Sequence, residues 1–243
     1  LPAELDTGIL ERTAQLERLN QELEAFSWSV CHDVSAPLIQ IHSYLRFLKG
    51  HPGANLDNVA RGYLAGIQNC ADRMSRVTQD LLRLARIART QLVRHRVDLS
   101  QMASGIAADL SARSPARQVK WLIATGLEAE ADQGLIEILL GNLLSNAWKY
   151  TTPCSLAQIE FGALPQSEGP VQFHVQDNGV GFDMGSANRL FQPFERLHTE
   201  DEFPGAGIGL ATARRIVQRH GGRIWAEGEV GRGAIFRFTL GSL

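Results

Sequence analysis

The sequence predicts an α-helical hairpin that pairs with a second copy into a dimeric four-helix bundle, followed by an α+β two-layer sandwich. Two observations carry this. Up to about residue 88, apolar residues recur at alternating spacings of three and four, which is the mark of a helical seam. Beyond residue 98, short β-rich runs alternate with amphipathic stretches, the pattern of a mixed sheet with helices segregated on one face. The 243 residues suffice for two such units.

The first helix is expected over about residues 5–49. Its seam runs through Leu16, Leu19, Leu23, Phe26 and Val30, changes phase at Val34 and Leu38, and resumes with Ile41, Leu45 and Leu48. Pro37 has no backbone N–H to donate and bends the helix there. His32 lies two residues beyond the seam position Val30, so its imidazole turns toward solvent, and the adjacent Asp33 can orient the ring or take up its proton. The run Lys49-Gly50-His51-Pro52-Gly53 ends the helix and reverses the chain. A second helix, about Leu56 to Ala88, has its seam at Ala60, Tyr63, Ile67, Cys70, Met74, Val77, Leu81 and Leu84. One hairpin cannot bury both seams well by itself, so a homodimer is expected; the alternative is a monomeric hairpin docked on the following domain.

These features divide the chain into a lead-in coiled-coil helix (1–25) from an upstream sensor, a dimerisation hairpin (26–90), a basic linker (91–98) and an α+β domain (99–243). In the last, helices are expected from Leu99 to Ala112 with Asp98 or Ser100 as cap, from Asp132 to Tyr150, and from Ile208 to His220. Strands are expected at Gln118–Ala124, Ala157–Ala163, Val171–Gln176, Arg223–Glu227 and Ala234–Leu240.

A net charge of -2 gives no electrostatic case for nucleic acid or an anionic membrane as partner. The three cysteines (Cys31, Cys70, Cys154) are isolated, which argues against a disulfide framework or zinc site and fits a reducing, cytoplasmic setting. No apolar run approaches the roughly 20 residues of a membrane span, so no membrane contact is expected from this segment.

Chemistry concentrates in the second unit. Asn142, Asn146, Lys149 and Tyr150 line one helix edge at spacings of four, three and one; amide oxygens able to take Mg²⁺ beside an ammonium suit a polyphosphate. Asp177-Asn178-Gly179-Val180-Gly181 follows a strand, offering a carboxylate to an exocyclic amine and glycines for close backbone approach. Gly205-Ala206-Gly207-Ile208-Gly209-Leu210 opens a helix, where free N–H groups and the helix dipole cradle phosphate. The polar segment from Asp183 to Pro204, anchored by Phe191, Phe194 and Phe203, reads as a lid.

Together, NLLSNAWKYT (Asn142–Thr151), DNGVGF (Asp177–Phe182), LFQPFERLH (Leu190–His198) and GAGIGLATARRIVQRHGG (Gly205–Gly222) resemble the N, first glycine, phenylalanine and second glycine boxes of sensor histidine kinases, in that order. SVCHDVSAPL resembles their phospho-acceptor box, and EAFSWSVCHDVSAPL is similar to that of phytochrome-type kinases. The resemblance implies a GHKL (Bergerat-type) ATPase fold and ATP-dependent autophosphorylation of His32, with Asp33 accepting its proton. Asp177 would hold the adenine amine with Tyr150 packed nearby, and Asn146, close to Asn142, would hold Mg²⁺. Lys149 and Arg196 would face the phosphates, and Gly179, Gly181, Gly205, Gly207, Gly209 and Leu210 would shape the nucleotide loops. The phosphoryl group would pass to an aspartate of a response-regulator receiver domain. Ala36 stands where phosphatase-competent members usually carry threonine or asparagine, which implies weak phosphatase activity. The alternatives are a degenerate kinase serving as a dimeric ATP-binding scaffold, and another GHKL ATPase of the topoisomerase or chaperone kind.

Overall fold

The structure, a computed structural model, describes residues 34–35, 37–50, 57–89, 91–164, 169–199, 202–203 and 205–241; His32, Asp33 and Ala36 lie outside them. The chain forms two compact units, Leu1–Arg89 and Thr90–Leu243.

In the first unit, residues 37–50 are helical (α1) and α2 spans Asn58–Arg89. Asp57 starts α2, its Oδ1 accepting from the Ala60 N–H at 2.7 Å. Leu38 and Leu45 of α1 and Ala71, Thr78 and Ala85 of α2, each set seven apart, are buried. Across the hairpin His42 Nε2 meets Asp72 Oδ1 at 2.7 Å, while its Nδ1 meets the Leu38 carbonyl at 2.7 Å. Both ring nitrogens face acceptors, so the imidazolium is favoured and the pKa is raised, first by the Leu38 carbonyl and then by Asp72. Lys49 donates to Gln68 one turn beyond. From Tyr63 to Met74 the expected α2 seam is therefore not the hairpin's own contact: Tyr63, Ile67 and Met74 are 72%, 50% and 50% exposed, whereas Val77, Leu81 and Leu84 are half-buried. An apolar stripe left uncovered at heptad spacing is what a second helical pair would bury.

The second unit begins earlier than expected. His95–Asp98 (β1), read from sequence as the end of a linker, is a strand paired antiparallel with β3 (Glu128–Ala131). This corrects the 91–98 linker. Arg94, in the same stretch, donates to the Gly241 and His220 carbonyls, and the Val93 N–H donates to Asp132. Helix α3 (Leu99–Arg113) is capped by Asp98, and α4 (Gln133–Tyr150) by Asp132. Strands β2 (Val119–Ile123), β4 (Ala157–Leu164), β5 (Gln172–Asp177), β6 (Ile224–Glu229) and β7 (Gly233–Thr239) form a mixed sheet of order β2-β4-β5-β7-β6, in which only β2 and β4 run parallel. A 3-10 turn covers Met184–Arg189, and α5 spans Gly209–Arg219.

Alternation along the strands sets the core. Ile159 and Phe161, Phe173 and Val175, and Phe236 and Phe238 turn to the helix layer, where Leu139, Leu140, Leu143 and Leu144 of α4 and Ile216 of α5 meet them, all buried. Each such side chain contributes on the order of 1.5–3 kcal/mol. Asp177 shares the parity of Phe173 and Val175, so the strand aims its carboxyl at this same buried face. His220, fully buried, ties α5 to α4: its Nδ1–H donates to the Ile216 carbonyl at 2.8 Å and its Nε2 accepts from the Asp132 N–H at 3.1 Å. Burial lowers its pKa, keeping the neutral tautomer these bonds need.

Candidate nucleotide site

The three motifs of the second unit converge on the C-terminal half of α4. The Val180 N–H donates to the Tyr150 carbonyl at 3.2 Å. A Cβ on Gly179 would lie 2.5 Å from that carbonyl and 2.8 Å from Asp177 Oδ1, so only glycine fits where the two meet. A Cβ on Gly209 would stand 3.1 Å from Asn142 Oδ1, and one on Gly205 3.4 Å from Lys149 Nζ. The second glycine loop thus faces the polar edge of α4 carrying Asn142, Asn146 and Lys149, all half-buried. Leu210 follows in the first turn of α5.

Asp177 is only 5% exposed. Its carboxyl is pushed up to about 6 by burial, against the pull of hydrogen bonds from the Gly179 and Ala234 N–H groups. Such a group titrates near neutrality and, as carboxylate, accepts strongly from an amine. Asn178, to which sequence reasoning gave no role, braces the loop: its Oδ1 accepts from the Gln158 N–H and its Nδ2 donates to the Leu156 carbonyl, both at 2.8 Å. An Asx residue between a strand end and two glycines was the available signal.

In the lid, Phe194 adopts φ +67, a left-handed conformation rare for an aromatic residue, and its N–H donates to the Gly207 carbonyl at 3.0 Å. Gly207, at φ +74, passes so close that a Cβ would lie 2.9 Å from the Phe194 carbonyl carbon. Arg196, expected to face the phosphates, donates from Nη2 to the Phe203 carbonyl at 2.6 Å, within the segment expected as a lid. His198, another residue without an assigned role, meets the Gly181 carbonyl through Nε2 at 3.0 Å. The Lys149 ammonium lies 4.2 Å from the centroid of the Tyr150 ring.

The donor set fits Mg²⁺ carried with a polyphosphate. It offers amide oxygens and an ammonium along one helix edge, opposite backbone that only glycine allows so near. Among the described residues no cluster of three or more His, Cys, Asp or Glu side chains could hold a metal without the phosphates.

Residues 131–242 match the family model described as histidine kinase-, DNA gyrase B-, and HSP90-like ATPase, and residues 22–90 match the His Kinase A (phospho-acceptor) domain. The chain is 35% identical over 228 residues to cyanobacterial phytochrome B of Nostoc sp., covering 93% of this chain and 30% of the relative. It is 33% identical over 231 residues to the methanogenesis regulatory histidine kinase FilI of Methanothrix harundinacea, covering 95% and 26%. Its fold is similar to that of full-length ShkA in complex with AMPPNP, with a TM-score of 0.65 and 25% identity over 88% of this chain and 46% of that one. The chain spans less than a third of the length of these two curated relatives. A phospho-acceptor helical region followed by an ATPase-type α+β sandwich is the transmitter arrangement, and the chain belongs to the sensor histidine kinases.

Proposed function

We propose that this chain autophosphorylates on His32 from ATP and passes the phosphoryl group to an aspartate of a response-regulator receiver domain. The observation that carries this reading is the close approach of both glycine loops to Tyr150, Lys149 and Asn142, which gathers an amine acceptor and a phosphate cradle at one helix end. Asp177 accepts from the adenine amine, Tyr150 packs beside the base, and Lys149 neutralises phosphate charge. Arg196 adds a second cation when it leaves the Phe203 carbonyl. Asn146, with Asn142 near it, is the side chain for Mg²⁺, which supplies charge neutralisation on the phosphoryl oxygens when bound. A ring nitrogen of His32 attacks the terminal phosphorus, the bond to the departing ADP oxygen breaks, and Asp33 takes the imidazole proton. Positioning supplies most of the rate in such a transfer. No helix among the described residues is long and apolar enough to cross a membrane. Isolated cysteines suit a reducing compartment, and on that ground we assign the segment to the cytoplasm.

Incubation with γ-labelled ATP and Mg²⁺ tests this. Acid-labile label is expected on the wild type and none on His32→Gln. ATP binding without label supports the scaffold alternative instead, and steady hydrolysis without label another type of ATPase.

The homodimer rests on the uncovered stripe of α2. Replacing both Ile67 and Met74 by aspartate is expected to weaken dimerisation at least about tenfold, since charges would be buried unpaired. Sedimentation equilibrium should show monomer at concentrations where the wild type is dimeric, with helix content retained.

A further inference from the structure

Three aromatic rings meet at the C-terminal end of α4, and two of them have no part in the mechanism above. Tyr150 ends α4, whereas His198 and Phe203 belong to the segment between the two glycine loops. Ring centroids of Tyr150 and Phe203 are 5.0 Å apart at 61°, those of Tyr150 and His198 5.3 Å at 43°, and those of His198 and Phe203 5.3 Å at 67°, so each ring touches both others. Phe203 is 7% exposed, against 55% for Phe194 of the same segment. The cluster is tied to the loop that carries Asp177. His198 faces the Gly181 carbonyl through Nε2, so Nε2 bears the proton and donates. Val180 in turn donates to the Tyr150 carbonyl. Rings and carboxyl are therefore held by one short stretch, Asp177–Gly181.

We propose that His198 and Phe203 are specificity residues for the base, forming with Tyr150 an aromatic clamp on a purine whose exocyclic amine is bound by Asp177. This rests on the ATP reading above. Centroids at 5.0–5.3 Å leave no space for a base between the rings. A purine stacked between two rings needs them about 7 Å apart, the outer end of the aromatic contact range. The rings part by about 2 Å and exchange contact with each other for contact with the base. His198, hydrogen-bonded to the loop rather than to the phosphate cradle, keeps the outer wall in register as they do. Phosphate is read by Lys149, the asparagines and the glycine backbone, the base by the rings.

Titration calorimetry with Mg²⁺-ATP and with Mg²⁺-tripolyphosphate, on the wild type, His198→Ala, His198→Gln, Phe203→Ala and Phe203→Leu, separates these parts. The Kd for ATP is expected to rise about 5- to 50-fold in both Phe203 variants, the loss of one base–ring contact. It should rise about 3- to 10-fold in His198→Ala, with partial recovery in His198→Gln, whose amide can donate to Gly181. Tripolyphosphate affinity should stay within about twofold, and in the phosphorylation assay KM for ATP should rise with kcat held. Phe203→Leu keeps the apolar volume, so its melting temperature shows whether lost binding is lost fold. Equal weakening of both ligands, unchanged ATP affinity, or tighter ATP binding each overturns the clamp. If the wild type binds no ATP, the clamp falls together with the function reading. If the wild type binds and the variants match it, the clamp alone falls.

Discussion

Replacing Asp177 by asparagine is expected to weaken ATP binding by about 10- to 150-fold, the worth of a charge-assisted hydrogen bond, and to reduce autophosphorylation in step. The fold should survive. The asparagine carbonyl oxygen can still accept from the Gly179 N–H, which now reaches Asp177 Oδ1 at 2.8 Å. Its amide nitrogen, however, replaces the oxygen that would face the adenine amine, so donor meets donor. Alanine is the harsher change, because it also strips the buried Gly179 N–H of its acceptor. Calorimetry with ATP and a thermal melt of each variant separate binding from stability.

The raised pKa of Asp177 gives the same residue a pH signature. Burial holds its carboxyl at about 6 rather than the ordinary 3.8, so the accepting carboxylate is fully formed only above that value. ATP affinity is expected to be flat above about pH 6 and to fall by up to about tenfold per unit below it. Stability of the nucleotide-free unit runs the other way for this group. A folded-state pKa above the unfolded one contributes stability that is complete below 3.8 and lost as pH rises through about 6. His220 opposes it: its lowered folded-state pKa means stability is lost as pH falls from 6.5 through that lower value. Asp177→Asn should abolish the Asp177 dependence, in affinity and in melting alike, and leave that of His220 in melting across pH 4–7.

How much of this was legible beforehand depends on the range of the forces involved. Helices α3 and α4 announce themselves locally, through Asp98 and Asp132 at their caps and apolar residues at helical spacing behind them. The N edge of α4 and both glycine loops were legible for the same reason, since each is a short run whose spacing alone fixes its geometry. Strands β1 and β3 were not: HRVD and EAEA are four residues each, with Val97 their one large apolar residue, and pair across thirty residues or more. His198 and Asn178 acquire their roles from carbonyls and amides 17 to 22 residues away, which only the closed sheet brings near. Arg196 was legible as a cation, but not as a donor to its own lid. The α2 seam was legible as apolar and as more than one hairpin can bury, but not which of its residues the hairpin leaves exposed, because the face its neighbour takes depends on His42 and Asp72 meeting across the hairpin.

The second large effect is structural and strikes the same loop. Gly181→Ala is expected to destabilise the α+β unit by about 3 kcal/mol or more, combining left-handed strain of about 1–2 with overpacking of about 1–3. Gly181 sits at φ +63, and a Cβ built there would lie 1.9 Å from the Glu229 carbonyl oxygen and 2.8 Å from that of Gly233. These atoms are the ends of the β6–β7 turn, which also donates from the Gly231 N–H to the Val180 carbonyl at 2.8 Å. No side chain stands in the way to swing aside. Either the turn moves, breaking that bond and the strand ends beside Asp177, or the Asp177–Gly181 loop does. Moving the loop shifts the Gly181 carbonyl away from His198 and opens the contact between Gly179 and Tyr150. For a unit of this size the penalty should appear as a melting temperature lower by about 6–12 °C. Because both escapes disturb the same buried carboxyl, ATP affinity should fall even at temperatures where the variant is folded. Gly231, whose Cβ would meet nothing within 4 Å although its φ is +78, provides the control: Gly231→Ala carries the left-handed strain without the clash. It should cost only about 1–2 kcal/mol and leave nucleotide affinity intact. A Gly231→Ala penalty as large as that of Gly181→Ala would mean that backbone strain, rather than the crowding of the turn against the nucleotide loop, governs this end of the sheet.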